Sequence, residues 1–187
     1  MEKLIVIIEG PSGVGKDTII NELINRYPNK FGRPINANTR AMRENESQGN
    51  PYLFMSEEEF RRLRNTGEIF EETIRHGSYR GMRKSSFDEI LNSGKIALRD
   101  VDRFGLVAVK KVFGDDNVMS IFLTAPKEEI KKRMIERNEP EESMIVRLKD
   151  FDTFIENAKY YDYTIENIDK DETVNKILEL IDKKLNI

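Results

Sequence analysis

The sequence predicts an α/β fold in which helices flank a parallel sheet. One observation is a short apolar run at Leu4–Ile8, followed by a glycine-rich turn and a segment with helical periodicity. The other is that apolar strands and amphipathic helices alternate along most of the remaining chain. Such alternation is typical of parallel sheets, which bind their ligands outside the carboxyl ends of the strands.

The glycine-rich turn has the composition and the context of a phosphate-binding loop (P-loop). Its glycines permit positive φ, so that backbone N–H groups turn inward and form a concave anion site. The helix that follows adds the positive end of its dipole, and Lys16 supplies a mobile cation for the outer phosphates of a nucleotide. The segment predicts a fold of P-loop NTPase type, with these nucleotide-binding residues: Gly10, Pro11, Ser12, Gly13, Val14, Gly15, Lys16, Asp17 and Thr18.

Asp17 departs from the P-loop motif, which usually has serine or threonine after the lysine. The missing hydroxyl helps hold Mg²⁺ in such sites. A carboxylate can bind Mg²⁺ directly or through a water, or it can repel the phosphates where no metal separates them. The motif therefore predicts phosphate binding and leaves the geometry of the metal open.

The composition of the chain limits its class. Its 187 residues have the length of one domain, with the 38% hydrophobic and 35% charged residues of a soluble globular protein. The net charge of −3 gives no general affinity for nucleic acid, and the absence of cysteine excludes disulfides. We expect a cytoplasmic protein without a signal peptide or membrane span, of unknown oligomeric state.

Between Phe31 and Lys84 the hydrophobic periodicity weakens and arginines accumulate. Ser56 and Glu59 have the spacing of a capping box, which predicts a helix that ends near Gly67. A strand at 69–74 and a turn at 77–79 follow. These features predict a small α+β insertion, assigned to residues 36–84, in a single domain of residues 1–187 whose core comprises 1–35 and 85–187.

Regular alternation resumes after the insertion. The expected helices cover 85–92, 103–112, 125–137, 141–160 and 173–185, and the expected strands cover 96–102, 118–123 and 163–165. Asp100 and Asp102 fall at the carboxyl end of a strand, so we expect them beside the P-loop.

Arg40 and Arg43 lie in a polar loop of the insertion, near Tyr52. Guanidinium is planar and bidentate, so a pair of arginines suits a phosphate monoester. If the P-loop holds a nucleoside triphosphate, the insertion is expected to hold the molecule that receives the phosphoryl group. Most of the other arginines between Phe31 and Lys84, Arg33 included, are expected to be solvated surface charges.

These motifs resemble those of the guanylate kinase family, whose members are P-loop nucleoside monophosphate kinases. The resemblance covers nearly the whole chain. Besides the P-loop, it rests on Asn38, Thr39, Arg40, Arg43, Tyr52, Phe54, Glu71, Gly77, Tyr79, Gly81, Asp100, Val101, Asp102, Gly105 and Asn167. It implies a phosphotransferase that converts ATP and GMP to ADP and GDP with Mg²⁺.

The resemblance also implies roles for individual residues. The GMP phosphate would be held by Asn36, Arg40, Arg43 and Tyr52, and the guanine N1–H and amino group by Glu71 and Asp102. Asp100 would lie near the metal, with Asp17 as the second candidate ligand, and Asn167 near adenine. A helical lid at about 126–150 would close over the transferring group, and the implied catalytic residues are Lys16, Arg43, Arg133, Arg137 and Arg147.

Three positions of the implied acceptor site depart from the family pattern. Met82 stands where the family has a serine or threonine that donates to the guanine O6. Arg80 replaces a tyrosine of the phosphate site, and Asn36 replaces a serine. The lid segment near Pro140 is one residue short. These departures affect the identity of the acceptor more than the reaction.

Two alternatives follow from the departures. Aspartate after the P-loop lysine is similar to the ribose 1,5-bisphosphate phosphokinases, but these lack a guanine site, whereas Tyr52, Glu71 and Asp102 are present here. Another nucleotide is also an open acceptor. A kinase-like module that binds phosphopeptides without turnover is the second alternative, and the presence of Lys16 and of the closing arginines disfavours it.

Overall fold

A computed structural model describes residues 3–149 and 151–186 of the chain. The strands, in chain order, are β1 (Ile5–Glu9), β2 (Phe31–Gly32), β3 (Ala37–Asn38), β4 (Leu53–Phe54), β5 (Ile69–Arg75), β6 (Ser78–Arg83), β7 (Ile96–Asp100), β8 (Val118–Thr124) and β9 (Tyr163–Glu166). Five of them form a parallel sheet in the order β2-β7-β1-β8-β9. The predicted fold class is confirmed.

Helices cover both faces of this central sheet. They are α1 (Lys16–Arg26), α2 (Glu57–Asn65), α3 (Lys84–Asn92), α4 (Arg103–Phe113), α5 (Lys127–Glu136), α6 (Glu141–Lys149), α7 (Phe151–Ile155) and α8 (Lys170–Lys184). Successive side chains of β1 alternate between two cores, with Val6 and Ile8 against α1 and α8, and Ile5 and Ile7 against α3 and α4. All five residues of β1 are buried, so its last residue, Glu9, carries a carboxylate into the interior.

The insertion forms a second sheet of four strands in the order β4-β3-β6-β5. Its helix α2 begins as predicted, because the Ser56 hydroxyl accepts a hydrogen bond from the Glu59 N–H. The Glu59 carboxylate instead pairs with Arg62. A separate small core of Ala37, Phe60 and Ile69 packs beneath this sheet.

The helix predicted for residues 141–160 does not extend to its predicted end as an α-helix. The segment contains α6, then α7, then a 3₁₀ turn at Glu156–Tyr160, and Asp150 lies outside the described residues. Phe151 packs into one core and Phe154 against the other. The short helix α7 therefore contributes side chains to both cores.

Strand β7 ends at Asp100, two residues earlier than predicted. Asp102 instead caps α4, and its Oδ1 accepts a hydrogen bond from the Gly105 N–H at 2.9 Å. Both aspartates still lie at the carboxyl edge of the sheet. Of the residues that the structure describes, no helix is long and apolar enough to cross a membrane.

Candidate active site

The P-loop connects β1 to α1 and is shaped by its glycines. Gly13 and Gly15 have φ of 87° and 101°, values that L side chains rarely adopt. A Cβ at Gly10 would lie 2.3 Å from the Leu123 carbonyl oxygen, so the loop also passes too close to β8 for a side chain. The loop therefore has the open backbone that an anion site requires, and Thr18 is exposed in the first turn of α1.

Lys16 lies at the mouth of this loop. Its Nζ donates hydrogen bonds to the carbonyl oxygens of Gly10 at 2.6 Å and Pro11 at 3.2 Å. Burial lowers the pKa of Lys16, while Asp100 and other nearby carboxylates oppose that shift. The ammonium group is thus held beside the place where phosphates would bind.

Asn167 and Arg133 brace the loop from behind. The Asn167 side chain donates to the Val14 carbonyl at 2.6 Å, and Arg133 donates to the same oxygen at 3.2 Å. Arg133 also donates to the Asn167 carbonyl at 2.9 Å. These contacts give both residues a part in fixing the loop. The sequence-based roles of Asn167 at adenine and of Arg133 at the transferring group stay predictions.

The other two lid arginines converge on Glu139. Arg137 donates to one of its carboxylate oxygens at 2.6 Å and Arg147 to the other at 2.8 Å. Arg147 also donates to the Ser12 hydroxyl at 2.8 Å. The lid segment therefore contacts the P-loop through Arg147, and Glu139, which the sequence analysis did not single out, orients both cations.

A cavity of about 510 Å³ opens between the P-loop, the end of β7 and the insertion. Gly10, Ser12 and Lys16 line it on one side. Seven of the nine residues predicted for the acceptor also line it: Asn36, Tyr52, Glu71, Arg80, Met82, Asp100 and Asp102. The cavity thus places most of the predicted acceptor residues beside the predicted phosphate site.

Arg40 and Arg43, the remaining two, are organised by Glu46. The Arg40 guanidinium makes a bidentate pair with Glu46, at 2.6 and 2.5 Å, and the Arg43 backbone N–H donates to the same carboxylate at 2.9 Å. Hydrogen bonds from Arg40 and Arg43 lower the pKa of Glu46 to about 2. Arg40 also lies 5.6 Å from the centre of the Tyr52 ring, next to the cavity. Arg43 is exposed.

Four carboxyl groups, those of Glu9, Glu71, Asp100 and Asp102, line the cavity. Burial and the nearby charge of Asp102 raise the pKa of Glu9 to about 7, against the opposing effect of Lys16. Burial, then Asp102, also raise the pKa of Glu71. Glu9 is 5% exposed, and its Oε2 has no hydrogen-bond partner among the described residues.

Glu9 and Arg99 were missed by the sequence analysis, although each carried a signal. Both are charged residues within short apolar strands, β1 and β7. Such a residue must be paired, neutral or close to a ligand. Burial lowers the pKa of Arg99, which donates to the Pro34 carbonyl at 3.1 Å and lines the cavity.

Asp17 and Asp100 are joined by Arg33, a residue that the sequence analysis counted among the solvated arginines. Arg33 Nη2 donates to Asp17 Oδ1 at 2.6 Å and to Asp100 Oδ1 at 2.8 Å. The two predicted metal ligands are therefore neighbours. Within residues 3–149 and 151–186, no group of three or more histidine, cysteine or acidic side chains is arranged to hold a metal.

Comparison with known proteins gives one consistent family. The family model for guanylate kinase matches residues 1–184. A guanylate kinase of Clostridium tetani is 36% identical over 184 residues, 97% of this chain and 86% of that protein. One of Prochlorococcus marinus subsp. pastoris is 36% identical over 181 residues, 96% of this chain and 97% of that protein. The crystal structure of guanylate kinase from Anaplasma phagocytophilum matches with a TM-score of 0.69 at 28% identity, covering 97% of this chain and 86% of that one.

Proposed function

The chain belongs to the guanylate kinase family, and from this premise we propose how its own residues carry out the family's reaction. The enzyme is a nucleoside monophosphate kinase that phosphorylates GMP with ATP, giving ADP and GDP. The observation that carries the residue assignments is the cavity that the P-loop shares with Glu71 and Asp102. It offers one place where a triphosphate and a purine monophosphate can meet.

ATP binds with its phosphates in the P-loop. The inward N–H groups of the loop and the N-terminus of α1 hold the phosphate oxygens. Lys16 leaves the carbonyl oxygens of Gly10 and Pro11, which it contacts without nucleotide, and moves to the outer phosphates. Asn167 and Arg133 keep the loop in shape during this exchange by holding the Val14 carbonyl.

GMP occupies the insertion side of the cavity. The carboxylates of Glu71 and Asp102 accept hydrogen bonds from the guanine N1–H and amino group, and adenine offers no such pair of donors. A site that depends on hydrogen bonds of this kind can discriminate by roughly 10⁴-fold. The GMP phosphate is held by Asn36, Tyr52, Arg40, Arg43 and Arg80. Met82, which is buried and lines the cavity, contributes contact area for the base in place of a hydroxyl donor.

The transfer itself requires positioning and charge neutralisation more than covalent help. An oxygen of the GMP phosphate attacks the γ-phosphorus of ATP. The bond from this phosphorus to the β,γ-bridging oxygen breaks, and ADP leaves with that electron pair. Lys16, Arg137 and Arg147 place positive charge around the group in transit, and Glu139 sets the orientation of both arginines.

Mg²⁺ is the proposed cofactor, held with the nucleotide by Asp17 and Asp100. Carboxylate oxygens are suitable donors for this hard cation, and the proposal is supported by the proximity of the two carboxylates, which both accept a hydrogen bond from Arg33 Nη2. When bound, Mg²⁺ neutralises charge on the β- and γ-phosphates. The enzyme acts on small nucleotides, which are cytoplasmic metabolites, and its net charge of −3 disfavours nucleic acid.

Turnover with a panel of acceptors tests this function. ADP release from ATP and Mg²⁺ is measured with GMP, AMP, CMP, UMP and ribose 1,5-bisphosphate, offered separately. We expect turnover with GMP alone. Lys16→Ala should lower kcat by about 10²–10³-fold, the usual effect of removing a donor to developing charge.

The matched control is Lys170→Ala, which removes a lysine that pairs with Glu22 far from the cavity. This variant should turn over like the parent. Preference for another acceptor would overturn the assignment of Glu71 and Asp102 to guanine. ATP binding without turnover on any acceptor would replace the kinase function by binding alone.

A further inference from the structure

Arg33 connects three segments that meet beside the P-loop. Asp17 lies in the first turn of α1, Asp100 ends β7, and Arg33 directly follows β2. One guanidinium nitrogen, Nη2, donates to both carboxylates, and Nη1 reaches Asn21 Oδ1 at 3.4 Å. The side chain is therefore fixed on α1 and on the sheet edge at once.

The carboxylates of Asp17 and Asp100 require a positive charge between them, and Arg33 supplies it. Asp17 follows Lys16 directly, so its carboxylate stands next to the place where phosphates bind, and Asp100 adds a second negative charge. Two carboxylates this close repel each other and an incoming triphosphate unless a cation lies between them. Burial lowers the pKa of Arg33 and the two carboxylates raise it, with a net upward shift, so the guanidinium stays charged.

The group faces open space. Asp17, Arg33 and Asp100 line a second cavity of about 510 Å³, which shares Tyr52, Arg99 and Asp100 with the acceptor cavity. Asp17 is 72% exposed at its side chain, whereas Asp100 and Arg33 are each 31% exposed. A cation or a phosphate approaching from the active site therefore reaches these carboxylates without rearrangement of the core.

We propose that Arg33 is a positioning residue for phosphoryl transfer: it holds the carboxylates of Asp17 and Asp100 together and offsets their charge, which makes aspartate compatible with a phosphate-binding loop. The proposal rests on the proposed function of this site. Without metal, the guanidinium is the cation of the group. Asp17 and Asp100 would hold Mg²⁺ together with the nucleotide, and the ion would supply part of the positive charge that Arg33 supplies here.

ATP binding measured by calorimetry tests the proposal without turnover. Four proteins are compared, each in EDTA and in excess Mg²⁺: the parent, Arg33→Ala, Asp17→Ser and the double variant. In EDTA, Arg33→Ala should weaken ATP binding by about tenfold, because Asp17 is then uncompensated. In the Asp17→Ser background the same change should cost less than about threefold.

The metal supplies a second readout. Added Mg²⁺ should strengthen ATP binding more in Arg33→Ala than in the parent, because the metal replaces the missing guanidinium. An equal loss from Arg33→Ala in both backgrounds would overturn the link through Asp17. An unchanged response to Mg²⁺ would overturn the link to the metal.

Controls separate this inference from the proposed function. Arg26→Ala removes an arginine at the end of α1 that also joins two carboxylates, those of Glu22 and Asp171, and should leave ATP binding unchanged in both buffers. Absence of GMP turnover by the parent protein would contradict the proposed function. The coupling between Arg33 and Asp17 is read from ATP binding alone, so it is decided independently of that result.

Discussion

The P-loop and the acceptor cavity adjoin each other, but their polar groups are hydrogen-bonded to different degrees. In the P-loop, Lys16 contacts two carbonyl oxygens and the Val14 carbonyl has two donors. In the acceptor cavity, buried polar atoms lack partners among the described residues. The unpartnered atoms that line the cavity are Glu9 Oε2, Asn36 Oδ1, Arg80 Nε and Arg99 Nε.

In the proposed function, this difference gives the ATP side and the acceptor side of the site different energetic roles. The phosphates of ATP meet a preorganised loop, whose shape costs nothing to form at the moment of reaction. The acceptor meets groups that are already desolvated, each unpaired group costing about 1–3 kcal/mol. A ligand that pairs these groups regains that free energy, and one that leaves them unpaired does not. The acceptor side therefore supplies specificity, and the loop supplies charge stabilisation.

Glu71→Gln should give the largest effect. It tests whether the acceptor cavity can be impaired without changing the P-loop. The amide presents a donor to guanine where the carboxylate accepted, so we expect kcat/KM for GMP to fall by about 100-fold, with KM for ATP unchanged. Steady-state kinetics with each substrate varied measure both values. Glu72→Gln is the control, because this neighbour is exposed and pairs with Arg64. Equal losses in the two variants, or a raised KM for ATP, would show that the two sides are not separate.

Glu9 gives the next effect, on stability rather than on rate. Its folded pKa of about 7 lies above the ordinary value of 4.5 for glutamate, so the folded state binds more protons than the unfolded state between these values. The free energy of unfolding therefore falls as pH rises through this window. Between pH 5 and 8 this fall should be about 2 kcal/mol larger for the parent than for Glu9→Gln.

Urea denaturation at several pH values measures this difference. Glu71, whose pKa is also raised, leaves a smaller slope of the same sign in the variant. Parallel pH profiles for the two proteins would mean that the cavity does not hold Glu9 in its neutral form.

Asn167→Ala should have the smallest effect, and it tests whether Asn167 holds the P-loop in place. Loss of the hydrogen bond to the Val14 carbonyl should lower stability by about 1 kcal/mol and the Tm by about 3 °C. KM for ATP should also rise, because the loop loses a brace. Asn117→Ala is the matched control, since it removes a similar bond, to the Phe113 carbonyl at 2.7 Å, far from the site. A raised KM for ATP in both variants, or in neither, would contradict a local role for Asn167.

The sequence predicts sites built from consecutive residues better than sites whose residues come from distant parts of the chain. The P-loop was predictable because its strand, glycines and helix follow one another directly. Arg33 was not, because its partners lie 16 and 67 residues away and no local pattern links them. The segment after residue 141 is helical as its apolar periodicity indicates, but its last turn, Glu156–Tyr160, is a 3₁₀ turn.

Within the acceptor site, the residues that line the cavity were easier to predict than the hydrogen-bond and ion-pair partners of its arginines. Asp102 was expected to be a strand residue and is a helix cap that still lines the cavity. Glu46 and Glu139 had no distinguishing signal, because a surface glutamate beside an arginine is common in any sequence. Their importance follows from bidentate or bridging contacts with Arg40, Arg137 and Arg147, which only the structure shows.

The separate core of the insertion gives the molecule a gradient of cooperativity. Ala37, Phe60 and Ile69 anchor a four-stranded sheet, whereas the central sheet is sealed on both faces. Segments with so little apolar burial open locally at a lower free energy than the whole molecule unfolds. On warming, we therefore expect the insertion to open, and acceptor binding to be lost, before the central sheet unfolds. In the proposed function, GMP contacts Glu71 of the insertion and Asp102 of the core, so its binding should raise the free energy of opening the insertion.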